Sequence, residues 1–341
     1  MAAYIKNEGR RHKLRILSNK PRVFRLYKQL VRELHLSRAC RLNINKVTEV
    51  RIPVPWGHIA GKWWGDTSKQ PILALHGWQD NAGTFDPLFE LLPESTPILA
   101  IDSPGHGFSS HYPEAMLYHN ANYIMVCQRV KKYFKWEEKL NFLAHSEGGV
   151  IAFLYSSIYP EFVNSLITLD VIKPFASEDG EMIKLGKYID TSVTKSRRDP
   201  SENPKYSIEE IQDRWLKGSR GSLTLDAVNI LMRRGVMFHQ ESGKYTLTRD
   251  PKVKIHSLQR LDENQSLEMA RNLKCHYLVL RTTEGKFFDY SLKNSPGFIN
   301  TVTESAKSFK LVNVEGPHHV HLTNPERVAP IIIEFYRNIK L

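Results

Sequence analysis

Cysteine is scarce in this sequence. Its 341 residues include three cysteines, Cys40, Cys127 and Cys275, at irregular spacings. An odd, scattered set neither builds a disulfide framework nor has the paired spacing of a zinc site, so it indicates a reducing compartment and incidental thiols. The dinucleotide-binding glycine pattern is absent as well, since the glycines of SPGHGFSS lack its spacing. The sequence therefore predicts no metal site and no cofactor.

Long apolar runs are also lacking. No stretch approaches about 18 consecutive apolar residues, so we expect no transmembrane segment. The amino-terminal end has no apolar secretory signal either. What the chain does have is an ordinary globular composition, with 41% apolar and 25% charged residues. At this length, that composition predicts one large domain with an insertion, or two domains.

Positive charge is concentrated in an amino-terminal extension. Residues 1–46 contain 13 Lys and Arg against Glu8 and Glu33, a net charge of +11 out of +12 for the whole chain. The body is therefore near neutral, which argues against a nucleic-acid groove on the folded domain. Within the extension, PRVFRLYKQLVRELHL has apolar residues at helical spacing with basic residues between them. Such a helix packs on the domain, targets mitochondria or contacts a membrane surface, and all three roles stay open.

These features predict an intracellular protein. We expect it to be cytoplasmic, with mitochondrial targeting through the extension as one alternative. Peroxisomal targeting is the other, because the terminal Ile-Lys-Leu shares its last two residues with the Ser-Lys-Leu signal.

From residue 47 the chain alternates between short apolar runs and helical patterns. EVRIPVPWGHIAGKWW, residues 49–64, predicts a β-hairpin. Short apolar runs of this kind suit a parallel sheet covered on both faces. The predicted strands are 71–77, 96–105, 140–146, 165–170, 275–281 and 309–316. The predicted helices are 117–136, 148–159, 266–273 and 325–339. The order predicts an α/β protein with a mostly parallel, doubly wound sheet.

About a hundred residues separate the strand ending at Asp170 from the one starting at Cys275, far more than a crossover needs. We interpret residues 172–262 as a mainly helical cap inserted over the carboxyl edge of the sheet. The predicted organisation is then a basic extension (1–46), a first core part (47–171), the cap (172–262) and a second core part (263–341).

In a parallel α/β sheet, ligands bind beyond the carboxyl ends of the strands. Ser146 stands at such an end, in AHSEGG between a predicted strand and a predicted helix. Small flanking residues let a strand turn abruptly into a helix, which exposes the serine hydroxyl as a nucleophile. The alternative is an ordinary serine at the start of a core helix.

A nucleophilic serine needs a base, an acid and an oxyanion site. Three histidines, His318, His319 and His321, follow the last predicted strand and compete for the role of base. Glu284, after the penultimate strand, is our first choice for the acid that orients the histidine, and Asp170 is the second. Asp289 is a distant third.

The loop HGWQDNAG begins at a strand end and supplies the candidate oxyanion donors. The backbone N–H groups of Trp78 and of Glu147, the residue after the nucleophile, fit that role. Asp80 and Asn81 in the same loop either line the pocket or cap a helix starting at about Ala82.

These motifs carry a resemblance. HGWQDNAGTFDPLFELLP, IDSPGHGFSS, AHSEGG and GPHHVHLTNPERV, in that order, resemble the successive signatures of the α/β-hydrolase superfamily. VRIPVPWGHIAGKWWG and HGWQDNAGTFD are especially similar to the serine hydrolase-like group that includes the insect protein kraken. The resemblance covers roughly residues 47–340 and implies an α/β-hydrolase fold with a catalytic triad and a nucleophile elbow.

Transferred position by position, the resemblance places the nucleophile on Ser146. It places the base on His318, seven residues before Pro325, although Pro317 precedes this histidine where the family usually has glycine. His319 is therefore the alternative. The acid position falls on Glu284, where aspartate is more usual. Some relatives draw the acid from the strand before the cap, which corresponds to Asp170.

The leading functional hypothesis is a serine esterase that cleaves a small-molecule carboxylic ester or related acyl compound. The alternative is a catalytically idle α/β-hydrolase fold used for binding, since a fold alone does not establish chemistry.

Overall fold

A computed structural model describes residues 47–175, 181–195, 203–255, 261–292, 295 and 297–341. The basic extension, with its amphipathic pattern and Cys40, lies outside the described residues. Cys127 and Cys275 are buried free thiols.

The described residues form ten strands. They are β1 (Val47–Val54), β2 (Gly57–Trp64), β3 (Ile72–Leu75), β4 (Ile98–Ile101), β5 (Leu140–His145), β6 (Val163–Leu169), β7 (Val236–His239), β8 (Lys244–Leu247), β9 (His276–Thr282) and β10 (Ser308–Val314). Eight of them build one sheet in the order β1-β2-β4-β3-β5-β6-β9-β10. The first two pairings are antiparallel and the others parallel. The predicted α/β architecture and the predicted hairpin are both confirmed.

Eleven α-helices connect the strands of the described part of the chain. They are α1 (Asp86–Phe89), α2 (Asn120–Tyr133), α3 (Glu147–Ile158), α4 (Glu181–Lys195), α5 (Ile208–Gly218), α6 (Leu225–Gly235), α7 (Glu263–Arg271), α8 (Phe287–Leu292), α9 (Phe298–Ser305), α10 (Val320–Thr323) and α11 (Ala329–Asn338). Among the described residues, none of these helices is long and apolar enough to cross a bilayer.

The central strands are buried on both faces because their side chains alternate between two apolar clusters. In β3, Leu73 and Leu75 belong to one cluster, and Ile72 and Ala74 to the other. The same alternation runs through β4. Successive side chains of a strand point to opposite faces, so a continuous apolar run is what a sheet with helices on both sides requires.

The segment between β6 and β9 contains α4, α5 and α6, and it builds most of a third apolar cluster, which Leu322 of α10 joins. Met232 is fully buried there, and Trp215 packs against the cluster. The structure also has an antiparallel hairpin, β7–β8, which sequence reasoning missed. The limits of a cap at residues 172 and 262 stay a prediction.

Candidate active site

Ser146 occupies a sharp turn between β5 and α3. Its backbone has φ 50° and ψ −119°, in the left-handed half of φ that non-glycine residues seldom adopt. The turn is held because Ser146 N donates to the Leu169 carbonyl at 3.1 Å. It also requires Gly148, since a Cβ there would clash with the Leu75 carbonyl oxygen and lie 2.6 Å from that of His76. The small residues of AHSEGG therefore serve a strained turn with the serine at its tip.

His318 contacts Asp170 directly. Its Nδ1 lies 2.6 Å from Asp170 Oδ2, and both side chains are buried. Asp170 follows β6 with φ 54°, and its Oδ1 accepts a hydrogen bond from Thr282 N at 3.1 Å. Gly285 gives the carboxylate its room, because a Cβ there would overlap Asp170 Oδ2 and lie 2.7 Å from Cγ. A carboxylate on Nδ1 leaves Nε2 as the nitrogen that can exchange a proton with a substrate-side hydroxyl.

Burial shifts both members of this pair toward their neutral forms. It raises the pKa of the Asp170 carboxyl to about 6, against the hydrogen bonds from Thr282 that lower it. It lowers the pKa of the His318 imidazole from 6.5 to about 3. A neutral imidazole is the form that can act as a general base.

Glu284, the first choice for the acid, is not brought to His318. Its side chain is exposed, and its backbone N donates to the Gly316 carbonyl at 3.1 Å. That bond ties the loop after β9 to the end of β10 and leaves the carboxylate in solvent. Asp289 is paired with Arg281 instead of His318, with Asp289 Oδ1 2.8 Å from Arg281 Nη2. Among the three acids considered, Asp170 is the one that the structure places on the histidine.

The other two histidines of the cluster face different partners. His319 Nδ1 contacts Ser222 Oγ, and its Nε2 lies 3.5 Å from Asp80 Oδ2. His321 Nε2 lies 3.0 Å from Thr84 Oγ1, and its ring is fully buried. The sequence alone left this choice open, and the structure pairs His318 with the acid.

The candidate oxyanion donors lie in the two segments that flank Ser146. Glu147 is the first residue of α3, where a backbone N–H has no acceptor within the helix. The loop after β3 abuts the elbow, since a Cβ on Gly77 would lie 3.2 Å from Ser146 Cβ. Trp78 follows, and its indole Nε1 donates to the Val253 carbonyl at 2.8 Å. The ring of Trp78 is thereby tied to the segment between β6 and β9.

The Glu147 side chain is half-buried beside the elbow. Desolvation raises the pKa of its carboxyl from 4.5 to about 7. Near neutral pH the group is therefore divided between its neutral and charged forms.

Two site residues escaped sequence reasoning. Phe287 places its ring 4.2 Å from the His318 ring, centroid to centroid, and nothing in the sequence pointed to it. His145 precedes the serine in AHSEGG, and its Nε2 lies 3.0 Å from the His318 carbonyl oxygen. The sequence signal that could have identified His145 is its position at the carboxyl end of β5, where α/β proteins bind ligands. His145 Nδ1 faces Asp80 Oδ2 at 3.4 Å.

Known proteins resemble this chain in sequence, and one with a solved structure resembles it in fold. A family model described as "alpha/beta hydrolase fold" matches residues 70–325. A probable serine hydrolase of Drosophila melanogaster is 38% identical over 291 residues, which cover 85% of this chain and 87% of that protein. Serine hydrolase-like protein 2 of Homo sapiens is 34% identical over 85% of this chain and 94% of its own length. A hypothetical protein of Pseudomonas aeruginosa PAO1 with a solved structure aligns with a TM-score of 0.72 and 27% identity, covering 85% of this chain and 99% of that one.

Proposed function

Because the chain belongs to the α/β-hydrolase family and to its serine hydrolase-like group, we propose that it cleaves a carboxylic ester or related acyl substrate through an acyl-enzyme on Ser146. The fold and the relatives support a hydrolase. The observation that carries the finer proposal is the 2.6 Å contact between His318 Nδ1 and Asp170 Oδ2, in a chain whose strained β5–α3 turn presents a serine.

In the proposed mechanism, His318 Nε2 takes the proton of the Ser146 hydroxyl as Oγ attacks the substrate carbonyl carbon. The backbone N–H groups of Trp78 and Glu147 hold the oxyanion of the tetrahedral intermediate. His318 then gives its proton to the leaving group, and a water activated by the same histidine releases the acid. The Ser146 side chain makes no capping hydrogen bond to the first turn of α3, so its hydroxyl is not committed to the helix that follows it.

Asp170 has two functions in this scheme. It holds His318 in the tautomer that carries the proton on Nδ1, and it stabilises the imidazolium that forms during attack. Because the carboxylate is buried, its attraction to that imidazolium is little screened by water. The oxyanion and general-base contributions are each worth about two to four orders of magnitude in rate.

The test is labelling by a fluorophosphonate probe, followed by hydrolysis of short-chain aryl esters. We expect the wild-type chain to label and to turn over ester, and Ser146→Ala to do neither while retaining the wild-type circular dichroism spectrum. His318→Ala should lose far more activity than His319→Ala, since His318 is the one on Asp170.

Undiminished labelling of Ser146→Ala would refute the nucleophile assignment. A folded wild-type chain that neither labels nor hydrolyses any ester would favour the alternative, a catalytically idle fold used for binding. The feature that motivates this alternative is Pro317, which stands directly before the histidine.

A further inference from the structure

A second set of side chains converges beside the proposed triad. His145 Nδ1 lies 3.4 Å from Asp80 Oδ2, and His319 Nε2 lies 3.5 Å from the same oxygen. One ligand-type atom of each residue lies within 4.8 Å of the other two. None of the three has a role in the proposed hydrolysis.

The Nδ1 atom of His145 directs a lone pair toward the Asp80 carboxylate. A carbonyl oxygen can only accept, so the 3.0 Å contact of His145 Nε2 with the His318 carbonyl places the proton of the neutral ring on Nε2. Nδ1 is then unprotonated. It is fully buried and has no hydrogen-bond partner among the described residues. A buried lone pair facing a carboxylate is unfavourable unless a positive group lies between them.

His319 is oriented in the same way. Its Nδ1 is engaged by Ser222 Oγ, which turns Nε2 toward Asp80. Each histidine thus has one ring nitrogen fixed by a polar neighbour and the other directed at the carboxylate. Metal-ligating histidines are held in this manner, with the second nitrogen bonded to a carbonyl or another polar group.

The spacing also suits an ion. Ligands about 2.1 Å from a tetrahedral centre are about 3.4 Å from one another. The two separations from Asp80 Oδ2 are 3.4 and 3.5 Å, and the ligand atoms of the two histidines lie within 4.8 Å of each other. Two imidazoles and one carboxylate are a donor set that zinc takes in proteins. We propose that Asp80, His145 and His319 bind a divalent transition metal ion of the zinc class beside the hydrolytic site. Its fourth ligand is then solvent, which reaches the site past the partly exposed His319 side chain.

Isothermal titration of the full-length protein with Zn²⁺ tests the proposal, with Co²⁺ absorption as a second readout of ligand geometry. Asp80→Asn and His319→Gln should each lose one site or weaken it at least about tenfold. His276→Ala is the matched control, because it removes a histidine that contacts Ser308, far along the chain from the cluster. The histidines and the cysteine of the extension are present in every variant. A difference in the number of Zn²⁺ ions bound per chain therefore reports the Asp80, His145 and His319 site.

A substitution at Arg249 should strengthen Zn²⁺ binding, whereas the ligand substitutions weaken it. The guanidinium of Arg249 interacts electrostatically with Asp80, so Arg249→Met should tighten Zn²⁺ binding, a gain that scattered surface sites would not show.

Near-ultraviolet circular dichroism verifies the fold of each variant. Equal stoichiometry and affinity in the wild type, Asp80→Asn and His319→Gln would overturn the proposal, whether or not the chain hydrolyses esters.

Discussion

At the scale of single residues, the Asp170 carboxylate is held in place by two donors. Each oxygen has its own donor, Thr282 N on Oδ1 and His318 Nδ1 on Oδ2. The positive φ at Asp170 turns the side chain from the end of β6 toward that histidine. An asparagine fits the same space but offers only one oxygen, so it cannot satisfy both donors.

We predict that Asp170→Asn lowers kcat/KM for an aryl ester by about two to four orders of magnitude, because His318 loses its orienting carboxylate. Glu284→Gln is the matched control and should change the rate less than about threefold, since that carboxylate is exposed. Steady-state kinetics on both variants decides between the two acids. A large loss in Glu284→Gln with none in Asp170→Asn would reverse the assignment.

The pH dependence of the wild type follows from the same pair. With the pKa of Asp170 at about 6, kcat/KM should be level above pH 7 and fall as the pH drops through 6, because the protonated acid no longer stabilises an imidazolium. A rate that stays level down to pH 4 would contradict this.

Glu147 gives a pH-dependent prediction about stability. Its folded pKa of about 7 lies above the ordinary 4.5, so the folded state favours the neutral carboxyl, and that stability is lost as the pH rises through 7. Glu147→Gln should therefore be more stable than the wild type at pH 8, by on the order of 1–2 kcal/mol after discounting for partial exposure. At pH 4 the two should be nearly equal. Urea unfolding at both pH values measures the difference, and an equal gain at both would rule out the linkage.

At the scale of elements, α6 is fastened to the sheet by one arginine. Arg234 Nη2 lies 2.7 Å from Asp102 Oδ2, just beyond β4, and its Nη1 pairs with Glu49 of β1. The guanidinium also lies over the Phe108 ring, 4.4 Å from its centroid. Asp102 is fully buried, so this ion pair links the segment between β6 and β9 to the core from within.

Removing one partner of a buried ion pair leaves an uncompensated charge, which costs about 3–5 kcal/mol. We predict a loss of that size for Arg234→Met, measured by urea unfolding. The double variant Arg234→Met, Asp102→Asn should recover part of it. Arg281→Met breaks the exposed pair with Asp289 and should cost less than about 1 kcal/mol. A double variant no more stable than Arg234→Met would show that the charge left on Asp102 is not the cause.

The main elements could be predicted from the sequence because their signals are local. Short apolar runs marked all six core strands, to within four residues at each end. The β7–β8 hairpin was missed because Val236 follows α6 without a break and neither strand is a continuous apolar run. The acid could not be chosen, because Asp170 and Glu284 both follow core strands. Which of them turns inward depends on the backbone at Asp170 and on the tie between Glu284 N and Gly316.

At the scale of the whole molecule, the sites depend on contacts between distant parts of the chain. His318 and Asp170 are 148 positions apart, and the Asp80 carboxylate meets residues 145 and 319. No spacing rule spans such distances, so the sequence indicated the residue types of the proposed triad and gave no sign of the second cluster. The sheet order brings them together by placing the carboxyl ends of the parallel strands at one edge.

The sheet order also sets when the proposed nucleophile acquires its base. Ribosomes add residues from the amino end and domains fold as units, so the elbow and Asp170 are made long before the loop that carries His318. That loop can meet Asp170 only after β9 has paired with β6 and β10 with β9. Until residue 318 has been synthesised and β10 has joined the sheet, the growing chain has a serine without its proposed base, so the proposed hydrolysis can begin only once the sheet is complete.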